Sequence, residues 1–356
     1  MIRSTFKFVY TDRKYMPQPI LQVRDLLTSF KTDRGMVTAV DGVSFDLFPG
    51  ETLGVVGESG CGKTVTNKSI IRLLPEHVAS YGDDSQIMFK DRNLLKLTES
   101  QMRDVRGNEI GMIFQEPMTA LNPVFTIGWQ IDEALKYHTK LNRSERRDKA
   151  IEMLRLVGMP NPEKRIDEYP HQLSGGMRQR VVIAIALSCG PEVLIADEPT
   201  TALDVTIQSQ ILRLMDKLKE ETGTAIILIT HDLGVVAQAC DRVIVMYAGQ
   251  IVEIAPVREL FHNPRHPYTR ALLDSMPKPG VTGHQQRLPA IEGTVPSLFN
   301  LPSGCRFHDR CQRAKPECKE KLPDLVSLTG NAPATDSNQA VQHGVRCFYP
   351  LEGATS

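Results

Sequence analysis

Apolar residues recur along this chain in two rhythms. Short runs that are apolar at nearly every position occupy Thr52–Val56, Ile110–Phe114, Val193–Ala196 and Ala225–Ile229. Such runs predict strands covered on both faces, as in a parallel sheet. Between them the period lengthens. Ile207, Ile211, Met215 and Leu218 fall on one face of a helix that Gly223 would end, and Lys63–Leu74 predicts a helix stopped by Pro75. Arg242–Met246 and Gln250–Ile254, joined through Ala248 and Gly249, predict a hairpin. The alternation of strand and helix gives an α/β domain over 19–256, preceded by a polar leader over 1–18. Within it, about 116–190 breaks the alternation. Glu145–Gly158 and Gly176–Ser188 both carry helical spacing, so a helical subdomain is expected there. After Pro256 closely spaced prolines forbid long elements, and 257–356 is expected to be a small irregular second domain.

Length and charge change this picture little. The chain has 356 residues, enough for two domains, and 42 basic residues balance 42 acidic ones. That balance removes the electrostatic argument for nucleic acid or an anionic membrane surface. No stretch approaches the roughly 18 apolar residues of a membrane span, and the N-terminus lacks a secretory apolar segment. A cytoplasmic protein is expected, with any membrane role supplied by a separate partner.

Chemistry enters at the end of the first apolar run. Gly57-Glu-Ser-Gly-Cys-Gly-Lys63-Thr64 satisfies G-x-x-x-x-G-K-[ST] at every fixed position, after a strand and before a helix. Glycines let backbone N–H groups turn inward on phosphates, and the helix N-terminus adds partial positive charge. Gly57, Ser59, Gly60, Cys61, Gly62, Lys63, Thr64 and Val65 are the expected phosphate contacts; the Cys61 thiol is assigned no chemistry. Lys63 suits the β/γ-phosphates and Thr64 suits Mg²⁺. The run Val193–Ala196 ends in Asp197 and Glu198. At the C-terminal edge of a parallel sheet, Asp197 suits the Mg²⁺ shell and Glu198 the polarisation of an attacking water. His231 follows the strand Ala225–Thr230 at the same edge.

Leu173-Ser174-Gly175-Gly176-Met177, leading into a helix, closely resembles the signature motif of ABC-type ATPases, with Met177 where glutamine is usual. Other elements match that family in order. Gln115 resembles its Q-loop glutamine, which adds to the catalytic set and the Mg²⁺ shell. Thr201-Ala-Leu203-Asp204 resembles its D-loop, and His231 its switch histidine. By position, Phe30 resembles the aromatic that stacks on adenine. The resemblance implies a P-loop, ABC-type nucleotide-binding domain working as a head-to-tail pair. Ser174, Gly175, Gly176 and Asp204 would then serve the ATP held mainly by the opposite subunit.

The segment His262-Asn-Pro-Arg-His266-Pro267-Tyr268-Thr269-Arg-Ala-Leu272-Leu273 resembles the one that follows the ATPase domain in bacterial dipeptide and oligopeptide importers. Nickel-importer ATPases carry relatives of it, and a soluble ABC ATPase is the alternative class. The resemblance implies an ATPase at the cytoplasmic face of the inner membrane, working with two permeases, a second and often non-identical ATPase, and a solute-binding protein.

Four of the seven cysteines, Cys305, Cys311, Cys318 and Cys347, crowd the final segment. Their spacings are looser than the C-x2–4-C pairs of zinc sites and compatible with an iron–sulfur cluster. Zinc, or four unligated or disulfide-bonded cysteines, stays open on spacing alone. The tail resembles that of D-type dipeptide-importer ATPases, which implies a [4Fe–4S] cluster on these four thiolates.

Overall fold

The structure is a computed structural model that describes residues 18–115, 120–200, 204–276, 291–328 and 343–353. The leader apart from Gln18, Glu116–Thr119 after Gln115, Thr201–Leu203 of the expected D-loop, and the tail prolines Pro277, Pro279 and Pro289 lie outside the described residues.

Two sheets build the first domain. The larger runs, in spatial order, β12 (Val326–Ser327), β13 (Gly344–Val345), β11 (Gln250–Pro256), β10 (Arg242–Tyr247), β3 (Thr52–Val56), β9 (Ala225–Ile229), β8 (Val193–Asp197) and β7 (Ile110–Ile113). Its parallel members are β3 (Thr52–Val56), β7 (Ile110–Ile113), β8 (Val193–Asp197), β9 (Ala225–Ile229) and β10 (Arg242–Tyr247). β3, β8 and β9 are buried at every position, which is why they read as unbroken apolar runs. β10 turns through Ala248-Gly249 into β11 (Gln250–Pro256), the expected antiparallel hairpin. The second sheet was not foreseen. β1 (Leu21–Thr32) and β2 (Gly35–Leu47) pair antiparallel over almost their full length, with β4 (Ala79–Tyr81) and β5 (Gln86–Phe89) added to the other side of β1 and β6 (Arg92–Asn93) paired with β5. Register shifts between Val23 and Ser29 break the two-residue alternation that would have revealed β1.

The helix after the phosphate loop covers Lys63–Ile70, four residues shorter than the expected Lys63–Leu74. Arg72 takes a left-handed conformation (φ 50°), and Arg106 donates to the carbonyls of Ile71 and Arg72. Those carbonyls, freed at the helix end, are thereby satisfied from elsewhere. Between β7 and β8 stand the helices Ile127–His138, Arg143–Leu156 and Gly175–Leu187. Each begins at a polar cap: Thr126, Asn142 (with Glu145 closing a capping box) and Ser174. They share one core through Ile131, Leu135, Met153, Leu154, Val181 and Ile183. A further helix, Val205–Thr222, ends at Gly223 with φ 69°, the left-handed stop its sequence announces.

Beyond Pro256 the chain packs back on the large sheet. The short strand β13 (Gly344–Val345) pairs with β11, and β12 (Val326–Ser327) pairs with β13. Tyr268 and Phe307 meet Tyr247 of β10 with ring centroids 4.7 and 5.2 Å apart. These rings share a core with Val56, Val243 and Val245, so the tail and the large sheet bury one another.

Candidate functional site

Strand order decides where the chemistry gathers. In the sequence β3-β9-β8-β7, four neighbouring parallel strands end on one edge. β3 delivers the loop Gly57–Gly62, β9 delivers His231, β8 delivers Asp197 and Glu198, and β7 leads through Phe114 to Gln115. Strands about 4.8 Å apart therefore bring together residues as much as 174 positions distant in the chain.

The loop is shaped by its glycines. Gly57 has φ 151°, and a Cβ there would lie 2.2 Å from the Met246 carbonyl oxygen; at Gly62, φ 102°, it would lie 2.7 Å from that of Ala39. No other residue fits either place. Lys63 is buried, and its Nζ donates to the carbonyls of Gly57 at 2.7 Å and Glu58 at 3.0 Å. The Lys63 ammonium is thus folded back over the loop. The Cys61 thiol is buried beneath it, its pKa raised by that burial.

Thr64, on the first turn of the following helix, donates from Oγ1 to Asp197 Oδ1 at 3.4 Å. Asp197 is 2% exposed. Burial raises its pKa above the usual carboxylate value, while the Thr64 hydrogen bond, Lys68 and Lys63 act the other way. A buried carboxylate beside a hydroxyl is a donor set that suits a small hard cation, so the residues present fit Mg²⁺. Glu198 adopts φ 49°, and its N–H donates to the Ile229 carbonyl at 3.0 Å. Its carboxylate accepts from Gln115 Nε2 at 3.2 Å and lies 3.3 Å from His231 Nδ1. The strained left-handed backbone turns this side chain toward both partners.

The remaining expected contacts lie on other elements. Ser174 Oγ accepts from the Met177 N–H at 3.4 Å and caps the helix Gly175–Leu187. A Cβ on Gly175 would meet open space, whereas one on Gly176 would press on Ile207 at 3.2 Å. Asp204 caps the helix Val205–Thr222 by accepting from Ile207 N–H at 2.9 Å. Phe30 lies on β1, partly exposed, two residues beyond Thr28, whose hydroxyl is 3.0 Å from Ser69 on the phosphate-loop helix.

Family models match two parts of the chain: an ABC transporter model over residues 40–201, and the C-terminal region of oligopeptide/dipeptide transporters over 252–318. The chain is 56% identical to a probable peptide ABC transporter ATP-binding protein, y4tR, of Sinorhizobium fredii, over 90% of its own length and 96% of that protein. The chain belongs to the family of peptide ABC transporter ATP-binding proteins. Within this family it is also 52% identical to the dipeptide transport ATP-binding protein DppD of Bacillus subtilis, over 86% of this chain and 90% of that one. Among solved structures it resembles the dimeric ATP-binding cassette MJ0796 in a post-hydrolysis state bound to ADP and Pi. That match has a TM-score of 0.60 and 27% identity, and covers 67% of this chain and 99% of the cassette. The ABC-type fold expected from the sequence is the fold observed.

The four late cysteines of this family member line one small cavity, together with His266, Phe307 and Tyr349. All are free thiols. Cys347 is pushed up to about 11, first by burial and then by its three cysteine neighbours. Among the described residues no three His, Cys, Asp or Glu side chains stand close enough to hold a metal ion as placed. The four thiols border one common space, with only Cys318 fully buried.

What grips the loop from outside left no trace in the sequence. Glu58 N–H donates to Tyr268 Oη at 2.9 Å, and the Glu58 carboxylate is held by Arg310 at 2.7 and 3.1 Å. The 252 positions between Arg310 and Glu58 leave no local signal that could have paired them.

Proposed function

We propose that this chain energises the import of dipeptides or oligopeptides by hydrolysing ATP in a site it shares with a second ATPase subunit. The chain carries an ABC ATP-binding domain and is an ATPase. Support for the peptide substrate comes from the C-terminal region, which matches the oligopeptide/dipeptide transporter model, and from relatives named for peptide transport.

The observation that carries the reading is the shared environment of Glu198. Gln115 and His231 hold its carboxylate from two sides at the edge where the phosphate loop ends. In that position Glu198 would take a proton from the attacking water, with His231 and Gln115 fixing its orientation and reporting the γ-phosphate. Lys63 and the loop amides would hold the β- and γ-phosphates. Thr64, Gln115 and Asp197 would hold Mg²⁺, which offsets phosphate charge. Phe30 would stack on adenine. Ser174, Gly175, Gly176 and Asp204 would face the nucleotide of the opposite subunit.

No helix among the described residues is long and apolar enough to cross a membrane. Membrane attachment at the cytoplasmic face would come through permeases docking beside Gln115. There Phe114, Val124 and Trp129 are exposed, and a cavity opens between Pro123 and the segment Asp167–Gln172. Cys305, Cys311, Cys318 and Cys347 would hold a [4Fe–4S] cluster that staples the tail, since four thiols around one cavity suit that group.

Reconstitution with two permeases, the second ATPase subunit and a solute-binding protein in liposomes tests the transport assignment. ATP-dependent uptake of a labelled dipeptide, lost with Lys63→Ala, is the expected result. Peptide-independent ATPase activity with no uptake of any di- or oligopeptide would contradict it.

A further inference from the structure

The loop between Cys305 and Cys311 carries two arginines, and both reach across to the nucleotide-binding domain. Arg306 pairs with Asp41 of β2 and donates to the Ala248 carbonyl at the turn of the β10–β11 hairpin. Arg310 reaches the phosphate loop itself. Its guanidinium grips Glu58 with two hydrogen bonds and donates to Tyr247 Oη at 3.3 Å and to the carbonyls of Ile291 and Glu292. The rings of Tyr247 and Phe307 flank it, and its side chain is only 5% exposed. An arginine with this many fixed partners is an anchored group rather than a surface charge.

Glu58 occupies a variable position of the loop motif, yet all its polar groups are engaged. Its carboxylate goes to Arg310, its N–H to Tyr268, and its carbonyl to Lys63. Two physical consequences follow. The amide of Glu58 faces Tyr268, so Tyr268 fixes which loop amides remain for an anion. The carboxylate, a negative charge beside a polyphosphate site, is neutralised by Arg310; unpaired, it would repel the ligand.

We infer that Tyr268 and Arg310 of the C-terminal region are positioning residues of the ATP site, orienting the phosphate loop through Glu58 and cancelling its charge. The inference rests on the ATP-site assignment above. It makes the tail a working part of the nucleotide site rather than an appendage.

Equilibrium binding of MANT-ATP with Mg²⁺ to the full-length chain tests it. Binding to the unaltered chain, abolished in Lys63→Ala, establishes the ATP site independently of the inference. Arg310→Ala is then expected to weaken binding by about tenfold, as befits a carboxylate left unpaired near the phosphates. Glu58→Gln in the Arg310→Ala background should recover most of that loss. Recovery separates charge cancellation from mere loosening of the tail, which removing a carboxylate would not repair. Tyr268→Phe, which keeps the ring, should weaken binding by about threefold through the freed amide. If Arg310→Ala does not fold, Arg310→Lys takes its place, with a smaller loss of about threefold and the same recovery by Glu58→Gln. Affinities within twofold of the unaltered chain, or a loss that Glu58→Gln leaves in place, would overturn the inference.

Discussion

Thr64 and Asp197, 133 residues apart in the chain, meet hydroxyl to carboxylate at 3.4 Å. One comes from the helix after β3 and the other from the end of β8, with β9 between them. Asp197→Asn should therefore leave Mg-free nucleotide binding intact. It should lower Mg²⁺-dependent turnover by about a hundredfold or more. Titrating activity against Mg²⁺ checks this: the half-saturating concentration should rise.

The glycines of the loop are not equivalent. Gly57→Ala would drive a Cβ into the Met246 carbonyl, so nucleotide binding should be undetectable. Gly60, at φ 79°, has open space around it, and Gly60→Ala should cost only the backbone strain of about 1 kcal/mol. Thermal unfolding and MANT-ATP binding of the two variants separate clash from strain.

Acid should weaken the packing of the tail. His266 is buried, its Nδ1 accepts from the Tyr268 N–H, and burial pushes its pKa down from 6.5 to about 4. Below pH 6.5 the unfolded chain takes up a proton that the folded chain refuses until about pH 4. The stabilising contribution is thus complete above pH 6.5 and lost as the pH falls toward 4. Its size is about 3 kcal/mol at roughly 1.4 kcal/mol per unit. Urea unfolding at pH 7 and pH 4.5 measures the loss. His266→Asn, which can still cap the helix beginning at Pro267, should show about 3 kcal/mol less acid sensitivity.

Much of the arrangement at the strand edge was legible because each contributing motif is local. The phosphate loop needs glycines at fixed spacing, and β9 matches its expected span residue for residue because every position is apolar and buried. Distant pairings left weaker traces. The helix Ile127–His138 was overlooked because Trp129 and Tyr137 are exposed on it, which blurs the apolar stripe. The antiparallel sheet hid behind the bulges of β1. The prolines of the tail signal only an irregular segment, whereas its core is borrowed: Tyr268 and Phe307 pack on Tyr247 of the sheet. The grip of Arg310 on Glu58 follows from that docking and from nothing near either residue in sequence.

The cysteine assignment makes a compositional prediction. Purified without oxygen, the chain should carry about four iron and four sulfide per molecule, with a brown colour that Cys311→Ser abolishes. Iron removal should also lower the thermal midpoint, because the tail would lose its staple. A colourless protein with four titratable thiols and neither iron nor zinc would refute ligation.

In the proposed mechanism Glu198 activates water while other residues hold the nucleotide. Paired measurements on Glu198→Gln in the assembled transporter address this directly. MANT-ATP affinity should stay within about threefold of the unaltered protein while ATP turnover falls by at least about a hundredfold. Turnover that persists at the unaltered rate would contradict the account.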